Sequence, residues 1–127
     1  MDGQKLLEYK NWVVVGDVLN SEKYAHRILN SLKEHDFNAV GVHPDSKDES
    51  VYRSLKDVPY GIDVIDLCIN PIQGEKVLIE AKELGIDKVL IQPGAQSEEI
   101  LSFCRENGII AIEGCALVEL SYYNRKR

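Results

Sequence analysis

The chain has 127 residues, 44% of them hydrophobic, with a formal net charge of −6 and a pI near 5.0. That is enough for one compact core and too little for two domains. The acidic balance argues against a general nucleic-acid binder, which needs a basic face, and no apolar run approaches the roughly 18 residues of a membrane-spanning helix.

Short β-rich runs alternate with helical segments along the whole chain. The first strand is Trp12–Val15 and stops at Gly16. A helix follows over Glu22–Glu34, with Tyr24, Ala25, Ile28, Leu29 and Leu32 on one face and Asn20 or Ser21 placed to cap it. The second strand, Asn38–Val42, is ended by Pro44, which cannot donate to a ladder. The stretch Asp45–Ser50 is polar, and Val51–Leu55 reads as a turn or short helix closed before Pro59. The third strand, Val64–Ile69, ends at Asn70-Pro71. A helix over Gln73–Leu84 stops at Gly85. The fourth strand, Lys88–Ile91, ends at Gln92-Pro93-Gly94. A helix with Ser97 as its N-cap runs to Asn107 and stops at Gly108. The fifth strand is Ile109–Ile112. Gly114–Arg127 has room for a short helix, and residues 121–127, with Arg125, Lys126 and Arg127, read as a flexible, solvated basic tail.

Strands this apolar are covered on both faces, and their alternation with helices makes the sheet parallel. Right-handed crossovers then give a doubly wound, Rossmann-like α/β fold: one five-stranded parallel sheet in a single domain over residues 1–127. In such a sheet ligands bind outside the carboxyl ends of the strands. Those ends are Gly16-Asp17-Val18, Val42-His43-Pro44, Ile69-Asn70-Pro71 and Gln92-Pro93-Gly94-Ala95. Each carries a turn-former, so together they read as one rim.

The loop after the first strand holds one glycine, Gly16, where a dinucleotide fingerprint has three, and an acid, Asp17, follows it. An ordinary NAD site also has an acid at the end of the second strand for the ribose hydroxyls. Here His43 stands there, with Asp45 and Lys47 a little later. Histidine and lysine suit a phosphate better than a free diol.

The order and spacing of several short motifs resemble the small CoA-binding-domain proteins, stand-alone relatives of the N-terminal domain of the succinyl-CoA synthetase alpha subunit. The resemblance covers residues 10 to 120. It is carried by Val14-Val15-Gly16 with Ser21-Glu22-Lys23-Tyr24, and by Val42-His43-Pro44 where the family has Val-Asn-Pro. Val51-Tyr52-Arg53-Ser54-Leu55, Ile62-Asp63-Val64-Ile65-Asp66, Gln92-Pro93-Gly94-Ala95, and Cys115 with Glu119 complete it. The resemblance implies a Rossmann-like domain holding CoA at its strand ends. Gly16, Asp17 and Val18 would meet the phosphates, with Lys23 approaching them from the helix start. Val42, His43 and Pro44 would flank the adenosine. Cys68, Ile69, Asn70 and Pro71, with Gln92, Pro93, Gly94 and Ala95, would line the rest. The chain departs from the family at Asp17 and Val18, which stand where a small residue and a serine are usual; one hydroxyl donor is lost and one like charge gained.

No catalytic constellation is evident. Cys68, Cys104 and Cys115 are odd in number, lack a C-x-x-C spacing and read as free thiols in the reducing cytoplasm; the N-terminus has no apolar signal core, which points to the same compartment. His26, His35 and His43 form no metal-ligand spacing with them, so no metal is expected. His26 reads as structural, His35 as a cation suited to a helix C-terminus, and Cys115 as a buried thiol. The expected function is a non-catalytic module for a small nucleotide ligand, CoA or an acyl-CoA, with neither nucleic acid nor membrane as partner and no protein partner specified. The alternatives are an NAD-type dinucleotide binder and a ligand-free protein-interaction domain.

Overall fold

Five apolar runs form the five strands of one parallel sheet in the computed structural model, which describes residues 1–123. The elements in order are α1 (Gly3–Leu6), β1 (Asn11–Gly16), α2 (Tyr24–Glu34), β2 (Asn38–Val42), a 3-10 turn (Leu55–Asp57), β3 (Val64–Cys68), α3 (Pro71–Glu83), β4 (Lys88–Ile91), α4 (Glu98–Glu106), β5 (Ile110–Glu113) and α5 (Ala116–Tyr123). The strand order is β2-β1-β3-β4-β5. The expected doubly wound parallel sheet is therefore present.

The central strands β1, β3 and β4 are buried on both faces because they alternate their side chains between two helix layers, whereas the edge strand β5 leaves Ile110 and Glu113 exposed. Val13, Val15, Ile65, Leu67, Val89 and Ile91 pack beneath α3 and α4. Trp12, Val14, Val64 and Leu90 pack beneath α2, α5 and α1. Trp12 is fully buried, and its indole N–H donates to the Tyr9 carbonyl at 2.8 Å. Among the described residues no helix is long and apolar enough to cross a membrane.

Helix ends follow the expected chemistry at three places. Ser97 accepts a hydrogen bond from the Ile100 N–H at the start of α4, and Gly85 and Gly108 adopt φ of +76° and +69° just past α3 and α4, a conformation costly for residues with a Cβ. Elsewhere the structure differs. α2 begins at Tyr24, with Lys23 as an N-cap that gives no side-chain bond. The Asn20 carboxamide instead accepts from the Glu22 N–H at 3.0 Å, so it shapes the preceding turn rather than capping the helix. Tyr24, expected on the apolar face, is 60% exposed. α1 was absent from the sequence expectations, because four residues are too few to show a helical period; Asp2 caps it, and Gln4 ties it to Glu119 of α5. Ser121–Tyr123, expected in the tail, belong to α5, and the remainder of that tail lies outside the described residues.

The long crossover from β2 to β3 carries no α-helix. Tyr52 bonds along β2, accepting from the His43 N–H at 2.8 Å and donating to the Gly41 carbonyl at 3.1 Å. Glu80 of α3 then holds the 3-10 turn, accepting from the Leu55 N–H at 3.0 Å and from the Ser54 hydroxyl.

At its carboxyl end β1 lies close to β3, with Gly16 opposite Cys68. A Cβ on Gly16 would sit 2.3 Å from the Cys68 carbonyl oxygen and 3.1 Å from the Ala25 Cβ of α2. Gly16 is thus required by strand and helix packing. Gly16→Ala is expected to lower stability by about 1–3 kcal/mol through overpacking, read as a lower urea midpoint with the α/β circular dichroism retained. An unchanged midpoint would show that the strands part freely at this point.

Candidate functional site

The chain leaves β1 toward β2 on one side and later returns to β3 on the other. Two loops therefore diverge above the end of β1, one entering α2 on one face and the other entering α3 on the opposite face. Crevices at such reversals are where open α/β sheets take ligands.

The β1–α2 loop is a succession of turns: the Asn20 N–H bonds to Asp17 O at 3.4 Å and the Lys23 N–H to Asn20 O at 2.9 Å. His26 pins this loop to α2. Its Nε2 lies 3.1 Å from the Asn30 amide nitrogen, a donor, so Nδ1 carries the proton and donates to the Val18 carbonyl at 2.8 Å. The structural role expected of His26 is borne out. Val18 is 3% exposed, and a Cβ on Gly41 of β2 would lie 2.4 Å from its Cγ2. Its side chain fills the space that this glycine leaves, so a serine here would bury its hydroxyl among apolar neighbours.

Two cavities open above β1. The first, about 550 Å³, lies between the loop and the segment after β2, lined by Gly16, Leu19, Asp45, Lys47 and Val51 among others. The second, about 350 Å³, opens between the starts of α2 and α3, lined by Lys23, Tyr24, Ala25, Cys68, Ile69 and Asn70 among others. Asp17 and His43 line both. The His43 Nδ1 accepts from the Asp45 N–H at 3.1 Å, which leaves Nε2–H as its remaining donor.

The helix ends bordering this region differ in a decisive way. α3 is capped by Asn70, whose Oδ1 accepts from the Gln73 N–H at 2.9 Å. α2 has no such side chain. Among the described residues its first N–H groups have no bonding partner, and Tyr24 and Ala25, which carry two of them, line the second cavity beside Lys23. Open N–H groups, the positive end of the helix dipole and a lysine make an anion site. Asp17, also exposed there, is the like charge that the sequence placed in the loop.

The structure gathers Gly16, Asp17, Val18, Lys23, His43, Cys68, Ile69 and Asn70 around these cavities. It does not gather the others. Val42 is 1% exposed and Ala95 3%, both in the core beneath α3 and α4. Pro44 lines neither cavity, and Pro71 is the first residue of α3, where its missing N–H costs nothing. Gln92 is 4% exposed, and its Oε1 accepts from the Ala116 N–H at 2.8 Å, starting α5. Pro93 and Gly94 turn toward α4. β4 lies one strand beyond the reversal, and α3 and α4 pack on the same face of the sheet. Sequence reasoning missed Leu19, Tyr24, Ala25, Ser46, Asp48, Val51 and Gln73 as lining residues, because it started the helix at Glu22 and so hid the uncapped end at Tyr24.

The electrostatics beneath the crevice are unusual. Asp66 of β3 is fully buried, and neither carboxyl oxygen has a hydrogen-bond partner among the described residues. Burial pushes its pKa well above the usual carboxylate range. Burial, then the nearby Asp66 and Cys115, push the Cys68 thiol up to about 12; burial alone takes Cys104 to about 11. All three cysteines are free, with Cys68 and Cys115 half-buried.

A family described as CoA binding domain matches residues 10–121. A conserved hypothetical protein from Pyrococcus furiosus is 36% identical, with 87% of this chain and 99% of that one covered at a TM-score of 0.79. A hypothetical protein from Pyrococcus horikoshii OT3 is 24% identical, with coverages of 96% and 92% and a TM-score of 0.85. A protein from Thermus thermophilus is 24% identical, with 98% of each chain covered and a TM-score of 0.80. The last two show the fold alone. No curated protein matches the chain.

Asp66 sets a pH dependence whose sign is fixed. Its pKa is raised in the folded state, so the folded protein holds the proton more tightly than the unfolded chain. The stability this contributes is complete below the ordinary value of 3.8 and is lost as pH climbs through the folded value. Asp66→Asn is expected to gain on the wild type as pH rises from 4.5 to 7.5, measured by urea unfolding at each pH. Parallel profiles would show that the carboxyl is ionised and solvated in the folded protein.

Proposed function

The chain belongs to the CoA binding domain family, and from that premise we propose that its crevice binds CoA or an acyl-CoA as a module without turnover. The observation that carries this reading is the uncapped start of α2 facing the second cavity beside Lys23. It is the natural seat for the diphosphate of the ligand. The first cavity, with Leu19 and Val51 on its wall and His43 at its edge, fits the adenosine. The second continues past the diphosphate toward Cys68 and Ile69, in the direction of the pantetheine.

The absence of turnover is supported by the thiols. A thiol attacks a thioester as thiolate, and the Cys68 thiol is pushed up to about 12. Nothing basic in the sequence adjoins Cys115; Glu113 and Glu119 are its charged neighbours along the chain.

An NAD-type ligand is the second reading. It is favoured by Asp45, an acid close to the end of β2, where a ribose diol would be held. His43 at the end of β2 and Lys47 after it suit a phosphate better than a free diol, which weighs toward CoA.

CoA at about 100 times its dissociation constant is expected to stabilise the protein by roughly 2.7 kcal/mol, a rise in melting temperature on the order of 10 °C. NAD at the same concentration is expected to give less, and acetyl-CoA to leave no acetyl mass on the protein. A larger shift with NAD would transfer the proposal to the dinucleotide. A stable adduct on Cys68 or Cys115 would make the protein an acyl-transfer enzyme.

A further inference from the structure

A chain of hydrogen bonds spans the crevice between its two cavities. Gln73, in the first turn of α3, donates from Nε2 to Asp45 Oδ2 at 2.9 Å. Its Oε1 accepts from the Asn70 Nδ2 at 2.6 Å. The direction of the carboxamide is fixed by these partners, since the Asn70 amide nitrogen can only donate and an ionised carboxylate can only accept. Asp45 lines the cavity of about 550 Å³ and Gln73 that of about 350 Å³. The bridge therefore crosses the end of β1, from the segment after β2 to the start of α3. A ligand running through both cavities would lie against it.

The bridge is built for exchange. Asp45 is exposed and Gln73 half-exposed, and a carboxylate–amide bond in water is weak because each partner can bond water instead. A carboxylate oxygen on an amide donor also has the charge and reach of a phosphate oxygen. We propose that Gln73 is an anion donor of the crevice, and that Asp45 is an internal stand-in for a ligand phosphate, closing the passage until a phosphate displaces it. This rests on the reading of the crevice as a CoA site. It assigns Gln73 a binding role and makes Asp45 an autoinhibitory contact. It also separates the two acids of the site: Asp17 is a standing like charge in the loop, whereas Asp45 holds a donor that a phosphate would take.

The opposite role for Asp45 is a contact to ribose hydroxyls, as acids at this place make in dinucleotide sites. The two roles predict opposite signs. Calorimetric titration with CoA, and separately with inorganic pyrophosphate, would be run on the wild type, Asp45→Ala, Gln73→Ala and the double variant, with circular dichroism as the check on folding. Asp45→Ala is expected to tighten CoA about fivefold and Gln73→Ala to weaken it about fivefold. In the Gln73→Ala background, Asp45→Ala is expected to recover less than half of its gain, because there is no donor left to release. Pyrophosphate should follow the same order. Weaker CoA binding by Asp45→Ala would overturn the proposal in favour of a ribose contact. An equal gain in both backgrounds would overturn it by showing only a general charge effect. In both cases the CoA reading survives. Failure of the wild type and Asp45→Ala alike to bind CoA would remove that reading and the proposal together.

Discussion

The crevice exists because β1 pairs in parallel with β2 on one side and β3 on the other, although the chain visits them by opposite turns. That pairing brings Gly16 against Cys68 with no room for a side chain between them. α2 can then start close to the sheet, with Ala25 against Gly16, and its open N–H groups face the cavity between α2 and α3. The position of the proposed anion site follows from this contact, as does the separation of the two loops that wall it. A glycine that resembles the start of a phosphate loop thus serves the site through packing: it lets the helix approach, and the helix supplies the donors.

Charge at this site is arranged in opposition. Lys23 and the start of α2 attract an anion, while Asp17 repels one and Asp45 competes for a donor. The Asp48 carboxylate near the first cavity is held below its usual range by the Ser50 hydroxyl and N–H, at 2.6 and 2.8 Å. A ligand that meets both signs of charge must place its phosphates narrowly, so such a site selects by geometry more than by attraction. Beneath it burial raises the pKa of both Asp66 and the Cys68 thiol, which disfavours charge in the sheet layer. A neutral floor under a charged mouth suits a ligand with an anionic middle and an uncharged arm.

The strands were legible because runs such as Trp12–Val15 and Val64–Cys68 leave no alternative to burial on both faces. β2 and β4 fall at the expected residues, and Ser97, Gly85 and Gly108 act at helix ends as their chemistry dictates. The site was half legible. The rule that ligands sit at strand ends treats all strands alike, whereas strand order decides which ends matter, and order is a long-range property. Gln92 and Ala95 were therefore credited with a rim they do not share. Val18 looked like a lost phosphate donor because its partner, Gly41, is distant in sequence. Gln73 and Asp45 are 28 positions apart, and only the folded chain shows that they meet. Asp66 interrupts an otherwise apolar strand, and its carboxyl has no hydrogen-bond partner among the described residues.

The central claim is that the uncapped start of α2 receives the diphosphate of CoA. It is tested most directly by following the backbone amide resonances during a CoA titration. The account predicts the largest shifts at the N–H groups of Tyr24 and Ala25, with the capped start of α4 at Ile100 unmoved. Shifts concentrated at Gln92–Ala95, with Tyr24 and Ala25 silent, would contradict it.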